Sequence, residues 1–310
     1  MMAKRIAFIL NARAGGGVDG EAFLPYRQRI DEIANGGPVV VVSAGDDIGE
    51  HVRRALADGC EAVVAAGGDG TLNAVASCLV GTPAVFGVLP FGTLNHFARD
   101  VGIPLDIDAA LEVIRAGATD TVDVGEIAGL HFLNNASLGL YVQVVRHRER
   151  QQSRLGRGKW PAFAWAVWHA LRRFPFMTLH LTVDGADARV KTPFLFIGNN
   201  PYEMSGLRIG QRRSLQGGTL SVYHAQRAGR VRLFVLALHA LLGRLGSTHD
   251  FHQLTAQRLQ ISSRHATLRL ARDGEVARVS TPIECRIHAR ALNVYLPAKE
   301  SPDVRPGSPV

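Results

Sequence analysis

The chain has 310 residues, is 46% hydrophobic and 20% charged, and carries a formal net charge of +8, a globular composition with room for two domains. No apolar run approaches the ~20 residues of a membrane-spanning helix; no signal peptide precedes the short Ile6–Leu10 run; and Cys60, Cys78 and Cys285 are too few and too scattered for a disulfide framework or zinc site, reading instead as buried thiols of a reducing compartment. The charge is lopsided, with 9 Lys+Arg against 16 Asp+Glu over residues 1–125 and 26 against 11 thereafter, and the basic half carries no helix-turn-helix, zinc-finger or RNA-recognition signature, so an anionic membrane surface is expected there rather than nucleic acid.

Ile6–Leu10 reads as the first strand and runs into Asn11-Ala12-Arg13-Ala14-Gly15. Gly15, Gly17 and Gly20 satisfy G-x-G-x-x-G after a strand. That dinucleotide fingerprint wants an acidic residue ending the second strand, but Val39–Val42 ends at Ser43, whose hydroxyl suits a phosphate oxygen better than a ribose. A glycine loop without ligand contact is the plain alternative. Glu21–Ala34 and Asp46–Ala57 are expected as surface helices, the second capped by Asp46. Ala62–Ala66 is continuously apolar, the pattern of a strand buried on both faces, and empties into Gly67-Gly68-Asp69-Gly70-Thr71. Leu72, Val75, Ala76 and Leu79 are then spaced for one apolar helix face. Ala84–Leu89 repeats the pattern, emptying into Pro90-Phe91-Gly92-Thr93-Leu94-Asn95 and another helix, and Leu105–Ala116 is the next helix. Strand and helix alternate over residues 4–117, which predicts a parallel α/β domain.

The two glycine turns carry the chemistry. A turn of this kind between strand and helix lets backbone N–H groups approach an anion at the positive end of the helix dipole. Two of them predict a polyphosphate site at the carboxyl ends of a parallel sheet. Asp69 is the informative residue: a carboxylate in a phosphate cradle repels its ligand unless a metal intervenes or the group handles a proton. As an N-cap of the following helix it would be unremarkable.

After Gly117 the pattern changes to short strands: Thr119–Ile127, His131–Ser137, Met177–Val183, Val190–Gly198, Thr219–His224, Gln257–Ser262, Ala266–Ala271, Arg278–Ser280 and Glu284–His288. Ala128-Gly129, Asp184-Gly185 and Asp273-Gly274 are hairpin signals. An antiparallel β-sandwich domain is expected over residues 126–290, following an α/β nucleotide-binding domain over 1–125; Ala291–Leu296 is expected as a last strand returning to the first domain, and 298–310 as a frayed tail. Gly139–Arg150 reads as helical. Trp160–Phe174 holds all three tryptophans and ends in Arg172-Arg173, and Arg230–Leu245 is apolar between arginines; both fit core cover or an interfacial lipid surface. The 12 histidines show no metalloprotease spacing, and no nucleophile elbow or Cys–His signature is present, so neither a histidine metal site nor acyl transfer is expected.

At Gly67-Gly68-Asp69-Gly70-Thr71-Leu72-Asn73, at Pro90-Phe91-Gly92-Thr93-Leu94-Asn95-His96-Phe97-Ala98-Arg99 and at Asp273-Gly274-Glu275, the chain resembles the diacylglycerol kinase catalytic-domain family, soluble bacterial lipid kinases related to sphingosine and ceramide kinases. The resemblance reaches to about Pro297, and Asn11-Ala12-Arg13-Ala14-Gly15 is similar to the family's Asn-Pro-x-x-Gly turn, with Ala12 where proline is usual. It implies transfer of the ATP γ-phosphoryl group, with Mg²⁺, to a hydroxyl of diacylglycerol or a related lipid met at the membrane surface. In this reading Gly67, Gly68, Gly70, Thr71, Gly92, Thr93 and Asn95 form the phosphate cradle, helped by Asn11, Gly15 and Ser43. Asp69 stands on the nucleotide and metal side, and Asp273, supported by Glu275, is the base; exchanging the two aspartates fits the residues too. Asn199-Asn200-Pro201-Tyr202 is similar to an Asn-rich turn of the family. Gly217 falls where the family has an aspartate on a structural metal, so no such second metal is expected. A cytoplasmic protein, peripheral on the inner membrane face, follows, with its oligomeric state open and a homodimer allowed. An NAD kinase shares GGDGT and is one alternative; a non-catalytic regulator binding nucleotide or lipid is the other.

Overall fold

The computed structural model describes residues 4–16, 20–139, 176–203, 212, 214–225 and 251–298. The described residues belong to two compact units, Met1–Val75 with Pro83–Asp120 and Asn293–Val310, and Ala76–Thr82 with Thr121–Leu292. Of the expected helices, Gly139–Arg150 (all but Gly139), Trp160–Phe174 and Arg230–Leu245 lie outside the described residues, as does the tail past Ala298.

In the first unit β1 (Ile6–Asn11), β2 (Val39–Val42), β3 (Ala62–Gly67) and β4 (Val85–Pro90) form a parallel sheet in the order β2-β1-β3-β4. Every residue of β3 and β4 is buried, which is what their unbroken apolar runs require. The helices are α1 (Arg27–Ala34), α2 (Ile48–Ala57), α3 (Asp69–Leu79), α4 (His96–Asp100) and α5 (Ile107–Ala116). Two local readings change. The expected helix Glu21–Ala34 begins as a 3₁₀ turn over Glu21–Tyr26 that contains Pro25, which has no N–H to give, and turns α-helical at Arg27. Helix α2 is capped by Asp47, which accepts from the Glu50 N–H, while Asp46 accepts from the Ser43 N–H instead.

The second unit is antiparallel. One sheet runs β12 (Phe251–Ala256), β11 (Leu220–Ala225), β10 (Phe194–Asn199), β7 (Asn135–Gly139), β14 (Thr267–Arg272), β15 (Glu275–Ser280). The other layer has β13 (Arg258–Ser263) between β8 (Met177–Val183) and β16 (Ile283–Tyr295), with β9 (Ala186–Thr192) on β8 and a hairpin of β5 (Thr119–Ile127) and β6 (Leu130–Phe132). Leu138, Leu195, Ile197, Val222, Leu259 and Ile261 are among the fully buried residues of its core. Asp184-Gly185 and Asp273-Gly274 have φ of 47° and 91°, and 43° and 93°, the paired left-handed conformation that Asp-Gly hairpins favour. The expected strand Val190–Gly198 is two strands that meet at Pro193, a residue with no ladder donor. Strand β12 was not foreseen, and the two expected last strands are one 13-residue strand that passes through Arg290 at φ 51°. The end of that strand belongs to the first unit, where Asn293 and Val294 pair in parallel with Val85 and Phe86.

Candidate functional site

In the first unit the carboxyl ends of β1, β3 and β4 deliver three loops to one edge of the parallel sheet. The two glycine turns touch backbone to backbone. A Cβ on Gly92 would lie 2.6 Å from Gly68 Cα and 2.6 Å from Asn95 Oδ1, closer than carbon atoms approach without displacement. A Cβ on Gly67 would meet Thr71 Oγ1 at 2.7 Å. Glycine at 67 and 92 is therefore a packing requirement, which also leaves the backbone bare towards any ligand.

The polar residues of this edge divide into those that build the loops and those left over. Asn95, at φ 51°, donates from its side-chain amide to the Pro90 carbonyl at 3.0 Å and the Gly92 carbonyl at 2.8 Å, and so closes the second turn on itself. The Asn11 amide donates to Thr71 Oγ1 at 2.8 Å, and its Oδ1 accepts from the Arg13 N–H at 3.0 Å. Thus Asn11 joins the end of β1 to the first turn of α3. The Gly15 N–H donates to the Phe91 carbonyl at 3.1 Å, tying the first loop to the second glycine turn. Phe91 is held edge-on by Phe23 and Tyr26, with ring centroids at 4.7 and 5.9 Å.

These loops enclose a cleft of about 510 Å³. Asn11, Arg13, Ala14 and Gly15 line one part of it, and Gly68, Phe91, Gly92 and Thr93 the other. Of the expected cradle residues, Asn11, Gly15, Gly68, Gly92 and Thr93 thus face one space. Gly67, Gly70, Thr71 and Asn95 form the turns behind it. Ser43 is exposed just past the end of β2, and its N–H is taken by Asp46. Arg13 was not singled out from the sequence; its signal was a cation inside the first loop, two residues before Gly15.

Asp69 is the first residue of α3, and no capping bond from its side chain accounts for it there. Its Oδ1 is shielded from solvent with no hydrogen-bond partner in the protein, and Asn73 Oδ1, one turn on along the helix, is in the same state. A buried carboxylate oxygen without a protein partner, next in sequence to the cleft-lining Gly68, has a lone pair that a hard cation could take up. The donor chemistry of the two residues, a carboxylate oxygen and an amide oxygen, suits Mg²⁺.

In the second unit Asp273 and Glu275 have different surroundings. Asp273 accepts three backbone N–H bonds, from Leu133 at 2.7 Å to Oδ2 and from Asn134 at 3.0 Å and Asn135 at 2.9 Å to Oδ1. Burial pushes its carboxyl above the ordinary value, against the pull of those three donors and of Arg212. Both oxygens are thus engaged in holding the strand that begins at Asn135. Glu275 is exposed and pairs with Arg272 at 3.0 Å.

The Asn199-Asn200 turn is buried in a network centred on Asp123, a residue sequence reading missed. Asp123 accepts from the Arg290 N–H at 2.7 Å, the Gly218 N–H at 2.7 Å and the Asn200 amide at 3.0 Å. Asn199 donates to the carbonyls of Asp123 and Leu133, and Arg212 donates to those of Leu133 and Asn199. A Cβ at Gly217 would stand 2.6 Å from Asn200 Oδ1, so a longer side chain there would displace the asparagine.

Residues 5–127 match the family described as "Diacylglycerol kinase catalytic domain", and residues 135–296 match "YegS C-terminal NAD kinase beta sandwich-like domain". The chain is 32% identical over 255 residues to "Probable lipid kinase YegS-like" of Pseudomonas syringae pv. syringae (strain B728a), covering 80% of this chain and 79% of that protein. It is 46% identical over 96 residues to the protein of the same description from Pseudomonas syringae pv. tomato (strain ATCC BAA-871 / DC3000), a match to 30% of this chain and only 31% of that protein. A crystal structure of a diacylglycerol kinase from Bacillus anthracis str. Sterne superposes with a TM-score of 0.65 at 16% identity, over 96% of this chain and 98% of that one, a likeness of fold.

Proposed function

We propose that this chain, which belongs to the diacylglycerol kinase catalytic-domain family, transfers the γ-phosphoryl group of ATP to a hydroxyl of diacylglycerol or a related lipid. The observation that carries this reading is the pair of glycine turns in backbone contact at Gly68 and Gly92, which line one cleft, with Asp69, whose Oδ1 is buried without a partner, next after Gly68.

Phosphoryl transfer asks for positioning and charge neutralisation more than for covalent help from the protein. The backbone of Gly68, Gly92 and Thr93 binds the triphosphate, with Gly70 and the positive end of α3 behind it. Arg13 adds a cation to the part of the cleft facing them. Asp69 would hold Mg²⁺, which supplies charge neutralisation between the phosphates when bound. Asn11, Thr71 and Asn95 keep the turns in shape. For the base, a carboxylate with free lone pairs is needed. Asp273 spends both oxygens on backbone donors, so we assign it to positioning and give Glu275, the exposed carboxylate of the same Asp-Gly-Glu turn, the proton from the acceptor hydroxyl. The basic second half fits transient contact with an anionic bilayer.

The test is a transfer assay with ATP labelled in its γ-phosphate, Mg²⁺ and the full chain, offered diacylglycerol, sphingosine and NAD in parallel. Label is expected in the lipid and to be lost in Asp69→Ala. Label on NAD alone, or turnover equal in wild type and Asp69→Ala, would overturn the reading in favour of an NAD kinase or a non-catalytic binding protein.

A further inference from the structure

Three strands of the second unit bring one carboxylate between two imidazoles. Glu126 in β5 stands directly opposite His131 in β6 in the antiparallel register, and the other neighbour of β5 is β16, which carries His288. Residues opposed in this way share a face of the sheet. Glu126 Oε2 is 2.6 Å from His288 Nε2 and 3.9 Å from His131 Nε2, and the three potential ligand atoms all lie within 4.8 Å of one another. The two rings meet edge to face, centroids 5.5 Å apart and planes at 78°. Bonds of about 2.0–2.2 Å at tetrahedral angles hold ligand atoms roughly 3.3–3.6 Å apart, a spacing that the observed distances bracket. Small side-chain rotations close the difference.

We propose that Glu126, His131 and His288 form a binding site for a divalent transition metal, zinc by ligand preference, that pins the strands Leu130–Phe132 and Ile283–Tyr295 to Thr119–Ile127. Two imidazoles and one carboxylate are borderline ligands that suit zinc and leave a fourth position for water. Magnesium, with its demand for oxygen, is a poor fit to two of the three. The His131 side chain is only 25% exposed. A hydrogen bond with the Ser77 backbone fixes the same ring, as partners of metal-bound histidines do. No spacing in the sequence reveals the site, because its ligands are assembled across strands 162 residues apart.

One neighbour opposes the ion. Arg286 reaches Glu126 Oε2 from Nε at 2.9 Å and from its terminal nitrogen at 2.8 Å. Its side chain is 58% exposed and is free to turn to solvent when a cation replaces it. Arg272 also acts on His131. Proton, guanidinium and metal therefore compete for one carboxylate, and this gives the site a signature that a simple ion pair lacks.

The experiment titrates ZnCl₂ into the full chain, following heat and melting temperature, with Co²⁺ as the spectroscopic stand-in. One equivalent is expected to bind, to raise the melting temperature, and with Co²⁺ to give ligand-field bands without thiolate charge transfer. His131→Gln and His288→Gln, which retain a hydrogen-bonding side chain, are each expected to weaken binding at least about tenfold. His265→Gln, an exposed histidine elsewhere, leaves it unchanged. Arg286→Gln is expected to tighten binding several-fold, and affinity falls as pH drops through the histidine range. Binding that survives both ligand substitutions, a thiolate spectrum from the cysteines, or no binding would overturn the proposal. Should the histidine variants fail to fold, an unchanged affinity in Arg286→Gln overturns it alone.

Discussion

Gly92→Ala is the sharpest perturbation of the proposed nucleotide site. The added methyl carbon would lie 2.6 Å from Gly68 Cα and 2.6 Å from Asn95 Oδ1. Ordinary carbon contacts stand at about 3.5–4.0 Å, so the two turns must part by roughly 1 Å. One neighbour is main chain, and the other is a side chain anchored by bonds to the Pro90 and Gly92 carbonyls, so neither yields easily. Overpacking of this kind costs about 1–3 kcal/mol of stability. Displacing a cradle by about 1 Å costs on the order of 100-fold in turnover. The two effects are separated by comparison with Leu259→Ala in the core of the second unit, a truncation expected to cost about 2–5 kcal/mol. Melting temperature and the KM for ATP are measured for both. The glycine variant is expected to lose ATP affinity out of proportion to its stability, the leucine variant the reverse. A Gly92→Ala protein that turns over within about threefold of wild type would show that the contact between the turns does not position the phosphates.

Four further outcomes follow from the same geometry. Asp69→Asn removes a charge from a buried oxygen without partners, so turnover should collapse while the melting point holds or rises by the equivalent of about 1 kcal/mol; a parallel fall in both would make Asp69 a structural residue. Asp273→Ala takes the acceptor from three backbone N–H groups and should cost about 2–4 kcal/mol in urea unfolding. Glu275→Gln, at an exposed position, should leave unfolding unchanged within about 0.5 kcal/mol and abolish transfer; retained transfer would return the base role to another group. Burial, with His252 adding to it, holds His224 below the ordinary histidine value of 6.5. The unfolded state therefore takes up a proton first as pH falls, so the contribution of neutral His224 is complete above pH 6.5, is lost as pH falls towards the folded value, and should flatten out in the melting-temperature profile of His224→Gln.

How much of this was legible in the sequence depends on whether a feature is local. The strand–glycine–helix units at Gly67–Thr71 and Pro90–Asn95 could be read because strand burial, turn chemistry and helix periodicity all lie within one short stretch. The Asp-Gly hairpins at 184 and 273 followed from two residues each, and their left-handed φ values agree. What escaped has a common cause. Asp123 organises donors from Asn200, Gly218 and Arg290, and Glu126 meets His131 and His288; each set is drawn together only by strand register.

The same distinction bears on how the Asp-Gly-Glu motif divides its work between two carboxylates. As letters, Asp273 and Glu275 are equivalent acids flanking a turn, and the expectation favoured the aspartate. In the fold, a left-handed Asp at the start of a tight turn sits where its short side chain can receive the N–H groups of a neighbouring loop, and Leu133, Asn134 and Asn135 supply three. A carboxylate so occupied fixes where its partner stands. The glutamate, two residues on, is exposed and pairs with Arg272 at 3.0 Å, which is why the proposal gives it the proton of the acceptor hydroxyl. On the proposed reading, then, the motif's most constrained acid builds the turn and the exposed acid serves proton transfer.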